Sequence, residues 1–114
     1  MNPVWRIRLA EQAELDMFGI TVWTLENFGD QQAQKYAETL SLAIEALEGG
    51  PEIVGAIARE DMGTGIRILH VARQGRKGRH FLVFRAAPEQ TMDVLRLLHD
   101  NMDLTRHVSP SQDT

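Results

Sequence analysis

The sequence predicts an α+β domain with the element order β-α-α-β-β-β, in which a hairpin of two helices packs on one face of an antiparallel sheet. Two neighbouring segments carry apolar residues at helical spacing and are separated by a glycine, Gly29. Three apolar segments with short connections containing Gly or Pro follow in the second half of the chain. A chain of 114 residues is long enough for one domain and too short for two.

The first strand and the first helix follow each other directly. Residues 5–9 alternate apolar and basic side chains, which is the period of a strand with one buried face. Gly29 is a good stop for the helix that begins near residue 11. Apolar side chains recur within this helix at spacings of three and four, namely at Ala13, Met17, Ile20 and the position of Trp23 or Thr24.

The second helix has the clearest helical period in the chain. We expect Asp30 to cap its N-terminus, because a short acidic side chain accepts hydrogen bonds from free backbone N–H groups there. The Gly-Gly-Pro sequence at residues 49–51 ends the helix. Its apolar stripe should face the sheet, and consists of Ala33, Tyr36, Ala37, Leu40, Ile44 and Leu47.

Three strands are predicted in the second half of the chain, over residues 66–73, 79–85 and 91–99. Their short connections indicate an antiparallel meander. Residues 51–65 are expected to form a loop, and residues 100–108 to contain one helical turn. We take residues 1–108 as a single domain and residues 109–114 as a flexible tail.

Charge is distributed unevenly along the chain. Residues 1–64 contain 4 Lys+Arg and 11 Asp+Glu, a net charge of −7, whereas residues 65–114 contain 8 and 5, a net charge of +3. Between residues 66 and 85 there are six basic side chains and no acidic one. These cations either form a solvated face or provide a basic surface for an acidic partner or nucleic acid.

Composition excludes several classes of protein. The chain has no cysteine, which excludes disulfides and a thiolate metal site and fits a reducing compartment, so we expect a cytoplasmic protein. No apolar run approaches the ~20 residues of a membrane-spanning helix. The first residues lack the layout of a signal peptide.

The residues that could perform chemistry leave one enzymatic option. Four histidines are present, but none is placed at a spacing typical of a metal site, and neither a nucleophile elbow nor a phosphate-binding loop is present. We therefore expect no metal and no cofactor. A metal-free ribonuclease would need a base and a cation. His80 or His99 could be the base, and the cation could be Arg67, Arg79 or Arg96.

Several segments resemble one known family. Residues 94–108 are similar to the C-terminal signature of ParE-like toxins, a strand followed by Arg-Val-Leu-His, Met-Asp and Arg-His. Residues 59–67 resemble the family's Arg-x-Asp-Leu-Gly-x-Gly-aliphatic-Arg segment, and residues 79–85 its His-aliphatic-Ile-Phe-Tyr-Arg strand. The resemblance covers residues 5–108 and places the chain in the RelE/ParE superfamily.

The resemblance implies a toxin of a type II toxin–antitoxin module. ParE-like toxins trap DNA gyrase on cleaved DNA, and a ParD-like antitoxin neutralises them by wrapping a disordered arm around the toxin in a hetero-oligomer. The RelE branch instead cuts mRNA on the ribosome. This chain is acidic and its only tyrosine is Tyr36, so it departs from the basic RelE pattern with its C-terminal tyrosine. Gyrase inhibition is the leading expectation, and ribosome-dependent mRNA cleavage or an inactive co-repressor are the alternatives.

The sequence suggests two groups of candidate binding residues, one for the target and one for the antitoxin. We expect no sequence-specific nucleic-acid binding. The candidates for the target are basic or lie at strand ends: Arg67, Arg73, Arg76, Lys77, Arg79, Arg96 and His99. The candidates for the antitoxin are apolar residues that fall off the two helical stripes: Phe18, Val22, Leu25 and Leu42. These four either complete the core or form a groove for an arm that folds on binding.

Overall fold

The structure is a computed structural model that describes residues 4–104. It contains five strands and two helices, and two short 3₁₀ turns at Leu47–Gly49 and Glu60–Met62. The predicted order is confirmed, with one additional two-residue strand before the meander. The elements are β1 (Arg6–Leu9), α1 (Glu11–Phe28), α2 (Asp30–Ala46), β2 (Ile57–Ala58), β3 (Arg67–His70), β4 (His80–Ala87) and β5 (Thr91–His99).

The sheet has the strand order β1-β5-β4-β3-β2. β3, β4 and β5 form the predicted antiparallel meander, and β2 extends it at one edge. At the other edge β1 runs parallel to β5, so the complete sheet is mixed. The alternation of β1 shows that one face is buried, but it contains no information on the direction of the neighbouring strand.

One residue joins the two helices. Gly29 has φ +88° and is both the C-cap of α1 and the N-cap of α2. The prediction that Asp30 caps α2 was wrong, because Asp30 is already helical and no side chain caps this end. The inward position in α1 belongs to Thr24, which is buried, while Trp23 is 57% exposed.

The main core lies between the helix hairpin and the sheet. The predicted stripe of α2 faces it: Ala33, Leu40 and Leu47 are buried, and Tyr36 and Ile44 pack against the same cluster. Buried residues of the sheet complete this core, among them Leu82, Phe84, Met92, Val94 and Leu97.

A second apolar cluster, which the sequence did not predict, completes the interior. Met62 of the second 3₁₀ turn and Leu104 pack with Ile66, Ile68 and Leu98. Residues 100–102 form a turn, and residues 105–108 of the segment predicted to contain a helical turn, together with the tail, lie outside the described residues. Within residues 4–104, no helix combines the length and apolar character needed to cross a membrane.

Candidate functional site

A groove of about 970 Å³ lies between α1 and the adjoining ends of β4 and β5. α1 forms an apolar wall that includes Leu15, Ile20 and Trp23. The ring of Trp23 meets the ring of Phe28 edge to face, with 5.6 Å between centroids, and both side chains line the groove and are exposed. An apolar wall opposite polar strand ends suits a protein segment that presents both kinds of side chain.

Five of the sequence-predicted site residues line this groove, namely Lys77, Arg79, His80, Arg96 and His99. The register of β4 and β5 brings them together, because His80 lies directly opposite His99. The two imidazole rings meet edge to face with 5.1 Å between centroids. The three other predicted cations, Arg67, Arg73 and Arg76, are not part of its lining.

Tyr36 of α2 anchors the start of β4. Its hydroxyl accepts the backbone N–H of Arg79 at 2.9 Å and lies 2.7 Å from His80 Nδ1. Burial raises the pKa of Tyr36, so the phenol stays protonated. Because its oxygen already accepts from the Arg79 N–H, we assign its O–H as the hydrogen-bond donor to His80 Nδ1. Gly78 permits this approach, since a Cβ there would lie 3.2 Å from the Tyr36 hydroxyl and would overlap Val71. Sequence analysis placed Tyr36 in the core stripe and missed this second role.

His80 is held neutral. Burial, followed by the neighbouring His99, lowers the pKa of His80 from 6.5 to about 4. Because Nδ1 accepts from Tyr36, the proton of the neutral ring is assigned to Nε2. His80 therefore offers the groove a hydrogen-bond donor and no free basic nitrogen.

The two other histidines at this end of the sheet have the same arrangement. His70 Nδ1 accepts the N–H of Ala72 at 3.0 Å, and His99 Nδ1 accepts the N–H of Asn101 at 3.2 Å. A ring nitrogen that accepts a hydrogen bond carries no proton, so each neutral ring is protonated on Nε2. His70 donates from Nε2 to Asp100 at 2.9 Å.

Asp100, directly after β5, links the ends of the three meander strands. Besides accepting from His70, its Oδ1 lies 3.3 Å from Arg79 Nε, and its backbone N–H donates to Arg79 O at 2.8 Å. The bonds from His70 and then Arg79 hold the pKa of Asp100 below its usual value. The sequence signal for Asp100 was an acid following His99, but the fold was needed to place it beside His70.

Arg96 is tied to α1. Its Nε donates to Asp16 Oδ2 at 2.8 Å and a second guanidinium nitrogen donates to Oδ1 at 3.1 Å. The backbone N–H of Leu97 also donates to Asp16, at 2.9 Å. Only 22% of the Arg96 side chain and 12% of Asp16 are exposed, so Asp16 neutralises this cation and spans helix and sheet. Asp16 was not among the predicted site residues.

Arg67 is separated from the histidines. It pairs in register with Phe84, whereas His80 lies four residues along β4, roughly 13 Å away at strand spacing. Its Nη2 lies 3.4 Å from Ala56 O, and its buried Nε has no hydrogen-bond partner among residues 4–104. Arg67 therefore lies apart from the His80–His99 pair along the strand and is absent from the lining of the groove.

The basic turn before β4 is held by α2. Arg76 Nε donates to Thr39 Oγ1 at 2.9 Å, and Arg76 Nη1 lies 2.9 Å from Glu38 Oε1. Arg73 Nη2 lies 3.3 Å from Val54 O. Lys77 is exposed and lines the groove. Much of the positive charge noticed in the sequence is therefore engaged within the fold.

The four apolar antitoxin candidates lie mostly at the surface. Phe18 is 70% exposed, Leu25 and Leu42 are each 43% exposed, and Val22 is half-buried. Sequence analysis missed Leu15, which is 56% exposed and lies on the same side of α1. Its spacing from Phe18 and Val22, three and seven residues, was the available signal. No group of three or more potential metal ligands occurs in the described part of the chain.

Residues 7–104 match the family model described as ParE toxin of the type II toxin–antitoxin system, parDE. The chain belongs to the ParE toxin family. It is thus a toxin of a type II toxin–antitoxin system. A curated relative, Toxin ParE1 of Mycobacterium tuberculosis, is 33% identical over 110 residues, covering 95% of this ParE-family chain and 100% of the relative.

Two solved structures share the ParE-family fold described above. One, described as a chromosomal ParDE toxin–antitoxin system from P. aeruginosa, superposes with a TM-score of 0.67 at 17% identity, covering 84% of this chain and 96% of that chain. The other, from the toxin–antitoxin complex RelBE2 of Mycobacterium tuberculosis, has a TM-score of 0.54 at 22% identity and covers 84% and 98%. At these identities the likeness concerns the fold.

Proposed function

We propose that this toxin acts by binding DNA gyrase and not by cutting RNA, and that a ParD-like antitoxin neutralises it. Membership of the ParE family supports the target. The groove beside α1 is the proposed contact surface, with Lys77, Arg79 and His99 at its polar side. Arg67, Arg73, Arg76 and Arg96 act in this proposal mainly by shaping the fold.

The arrangement of the histidines is the observation that best supports a non-enzymatic mechanism. A general base must present an unprotonated nitrogen to the proton it removes. In His80 and His99 that nitrogen is Nδ1, and it already accepts a hydrogen bond from the protein. The low pKa of His80, about 4, also makes it a weak base at neutral pH.

The geometry of the cations supports the same conclusion. A ribonuclease must bring a cation to the phosphorane while the base and acid contact the same nucleotide. Arg67 lies near the other end of β4, and Arg96 is paired with Asp16. Arg79 remains close to both histidines, so Arg79 is the cation that the ribonuclease alternative would use.

One paired experiment separates the two mechanisms. Purified toxin is added to gyrase with supercoiled plasmid and, in parallel, to translating ribosomes with a defined mRNA. We expect trapped, cleaved plasmid and intact mRNA. Cleavage of mRNA at codon positions with unaffected gyrase would contradict the proposal and favour a RelE-like endoribonuclease.

Variants of the two histidines sharpen this test. If the toxin only binds, His80→Ala and His99→Ala lower toxicity no further than their losses of stability or gyrase affinity explain. If it is a ribonuclease, loss of the base or acid lowers the cleavage rate by roughly 10²–10⁴-fold in a folded protein. Glu52→Ala, an exposed residue outside the groove lining, is the control.

The antitoxin is proposed to cover the exposed apolar side chains of the helix hairpin, Phe18, Val22, Leu25 and Leu42. Large exposed apolar residues are typical of surfaces that a partner covers. The neighbouring reading frame supplies the candidate antitoxin. Coexpression should give a hetero-oligomer by light scattering, and a non-toxic monomer indifferent to that protein would contradict this part of the proposal.

A further inference from the structure

α1 carries two apolar stripes on different sides. One faces the core and includes Ala13, which is fully buried. The other consists of Leu15, Phe18, Val22 and Leu25, whose spacings of three, four and three residues are those of positions a and d in a heptad repeat. The exposed fractions along this outer stripe are 56% for Leu15, 70% for Phe18 and 43% for Leu25.

Acidic side chains border the outer stripe. Glu14 occupies the position before Leu15, and Glu26 the position after Leu25, so they lie on opposite flanks of the stripe, at the g and e positions. Over its whole length α1 contains Glu11, Glu14, Asp16 and Glu26 and no Lys or Arg. Both flanks of the stripe therefore favour positive charge in whatever covers it.

Two occupants other than a partner protein can be weighed from the charge and from the apolar content of the chain. A second copy of the toxin docked through the same stripe would bring acid against acid along both flanks, because α1 has no cation to pair with them. Residues 105–114, the longer of the two stretches outside the described range, contain Val108 as their one branched aliphatic side chain and do not supply four apolar side chains.

We infer that the outer stripe of α1 binds an amphipathic helix of the antitoxin that has apolar residues at heptad spacing and Lys or Arg on its flanks. The identification of that helix as antitoxin rests on the proposed function. The stripe spans 11 residues, roughly 15 Å of helix, and supplies the a and d positions of two successive heptads. An isolated helix of about this length is only marginally stable in water, so we expect the partner helix to fold as it docks.

Synthetic peptides test the charge requirement directly. One peptide of about three heptads has Leu and Ile at a and d and Lys at e and g, a second has Glu at e and g, and a third is a scrambled form of the first. Fluorescence anisotropy measures their binding to the full-length toxin. We expect the Lys peptide to bind at least about tenfold more tightly than either other peptide.

Two sets of variants locate the binding site. Glu14→Lys with Glu26→Lys should reverse the preference so that the Glu peptide binds more tightly. Glu48→Lys with Glu52→Lys changes the net charge equally at exposed positions outside α1 and should retain the original preference. Phe18→Ser, at a highly exposed position that folding does not need, should weaken the Lys peptide about tenfold.

Three outcomes would overturn the inference. The Lys and scrambled peptides could bind equally tightly, both double variants could lose the same affinity for the Lys peptide, or Phe18→Ser could leave that affinity unchanged. A dimer of the toxin that Phe18→Ser dissociates would identify a second copy as the occupant instead.

The cognate antitoxin separates this inference from the proposed function. If the antitoxin binds the Glu14→Lys, Glu26→Lys variant as tightly as the unaltered toxin, the inference fails and the antitoxin partnership stands. If the Lys peptide binds as expected but the neighbouring reading frame's product does not, the docking site stands and the antitoxin assignment fails.

Discussion

The hydroxyl of Tyr36 determines the chemistry of the residue that the sequence singled out first as a base. It accepts a hydrogen bond from the Arg79 backbone and is assigned as the donor to His80, which places the proton of the neutral imidazole on Nε2. An imidazole with a pKa of about 4 is poorly matched to proton abstraction at neutral pH. The same hydrogen bond joins α2 to β4, so we expect this histidine to contribute to stability.

The pH dependence of stability follows from this depressed pKa. Between the folded pKa of about 4 and the ordinary value of 6.5, the unfolded chain binds a proton at position 80 that the folded chain does not. Stability should therefore be fully present above pH 6.5 and fall as the pH decreases towards 4. Urea unfolding of the toxin and of His80→Gln across this range measures it.

The comparison with His80→Gln isolates the contribution of His80 to the pH dependence of stability, because His70 and His99 are present in both proteins. The variant should lose less of its unfolding free energy than the unaltered toxin over the same decrease in pH. Equal losses would show that another group is responsible.

α1 meets the core, the groove and the proposed helix partner on three sides, and its two glycines serve different purposes. Gly19 lies within the helix and lines the groove, where an added Cβ would meet no atom within 4 Å. Gly29 also has open space around it, but its φ of +88° is one that side chains with a Cβ rarely adopt. The same substitution, glycine to alanine, therefore tests helix propensity at position 19 and backbone strain at position 29.

Gly19→Ala and Gly29→Ala should have opposite effects. At position 19 alanine improves helix propensity and should raise the free energy of unfolding by about 0.5–1 kcal/mol. At position 29 alanine is strained and should lower it by roughly 1–3 kcal/mol. Chemical denaturation measures both, and a change of the same sign in the two variants would contradict the argument.

Across the whole molecule, Asp16 connects the helical layer to the sheet. It accepts from the Arg96 guanidinium and from the Leu97 backbone, so one carboxylate fixes α1 against β5 and thereby sets the width of the groove. This contact joins residues 80 positions apart in the chain. Its removal should therefore affect both stability and groove shape.

Asp16→Asn should lower the free energy of unfolding by roughly 1–3 kcal/mol, because a largely buried guanidinium loses its charged partner. The matched control is Asp61→Asn, which breaks a doubly hydrogen-bonded pair with Arg59 at the surface, where Asp61 is 55% exposed. That loss should stay below about 1 kcal/mol. Equal losses of unfolding free energy in the two variants would show that the pair of Asp16 with Arg96 stabilises the fold no more than an exposed ion pair does.

Local patterns predicted much of the fold and part of the site. The helical stripe of α2 and the meander were readable because burial imposes a period of 3.6 on helices and 2 on strands. The grouping of His80 and His99 followed from neighbouring antiparallel strands. The cap of α2 was misassigned because Gly29 can supply the turn through its backbone alone, without the side chain that the pattern suggested.

The sequence by itself determined β1, the two helices and the meander, their order, the family resemblance and the uneven charge, since each depends on residues close together in the chain or on a motif. Only the tertiary structure decided that β1 is parallel to β5, that Asp16 neutralises Arg96, that Arg67 lies away from the histidines, and that Tyr36 occupies the basic nitrogen of His80. These are contacts between distant segments, and their partners depend on strand register and helix packing, which local spacing does not encode.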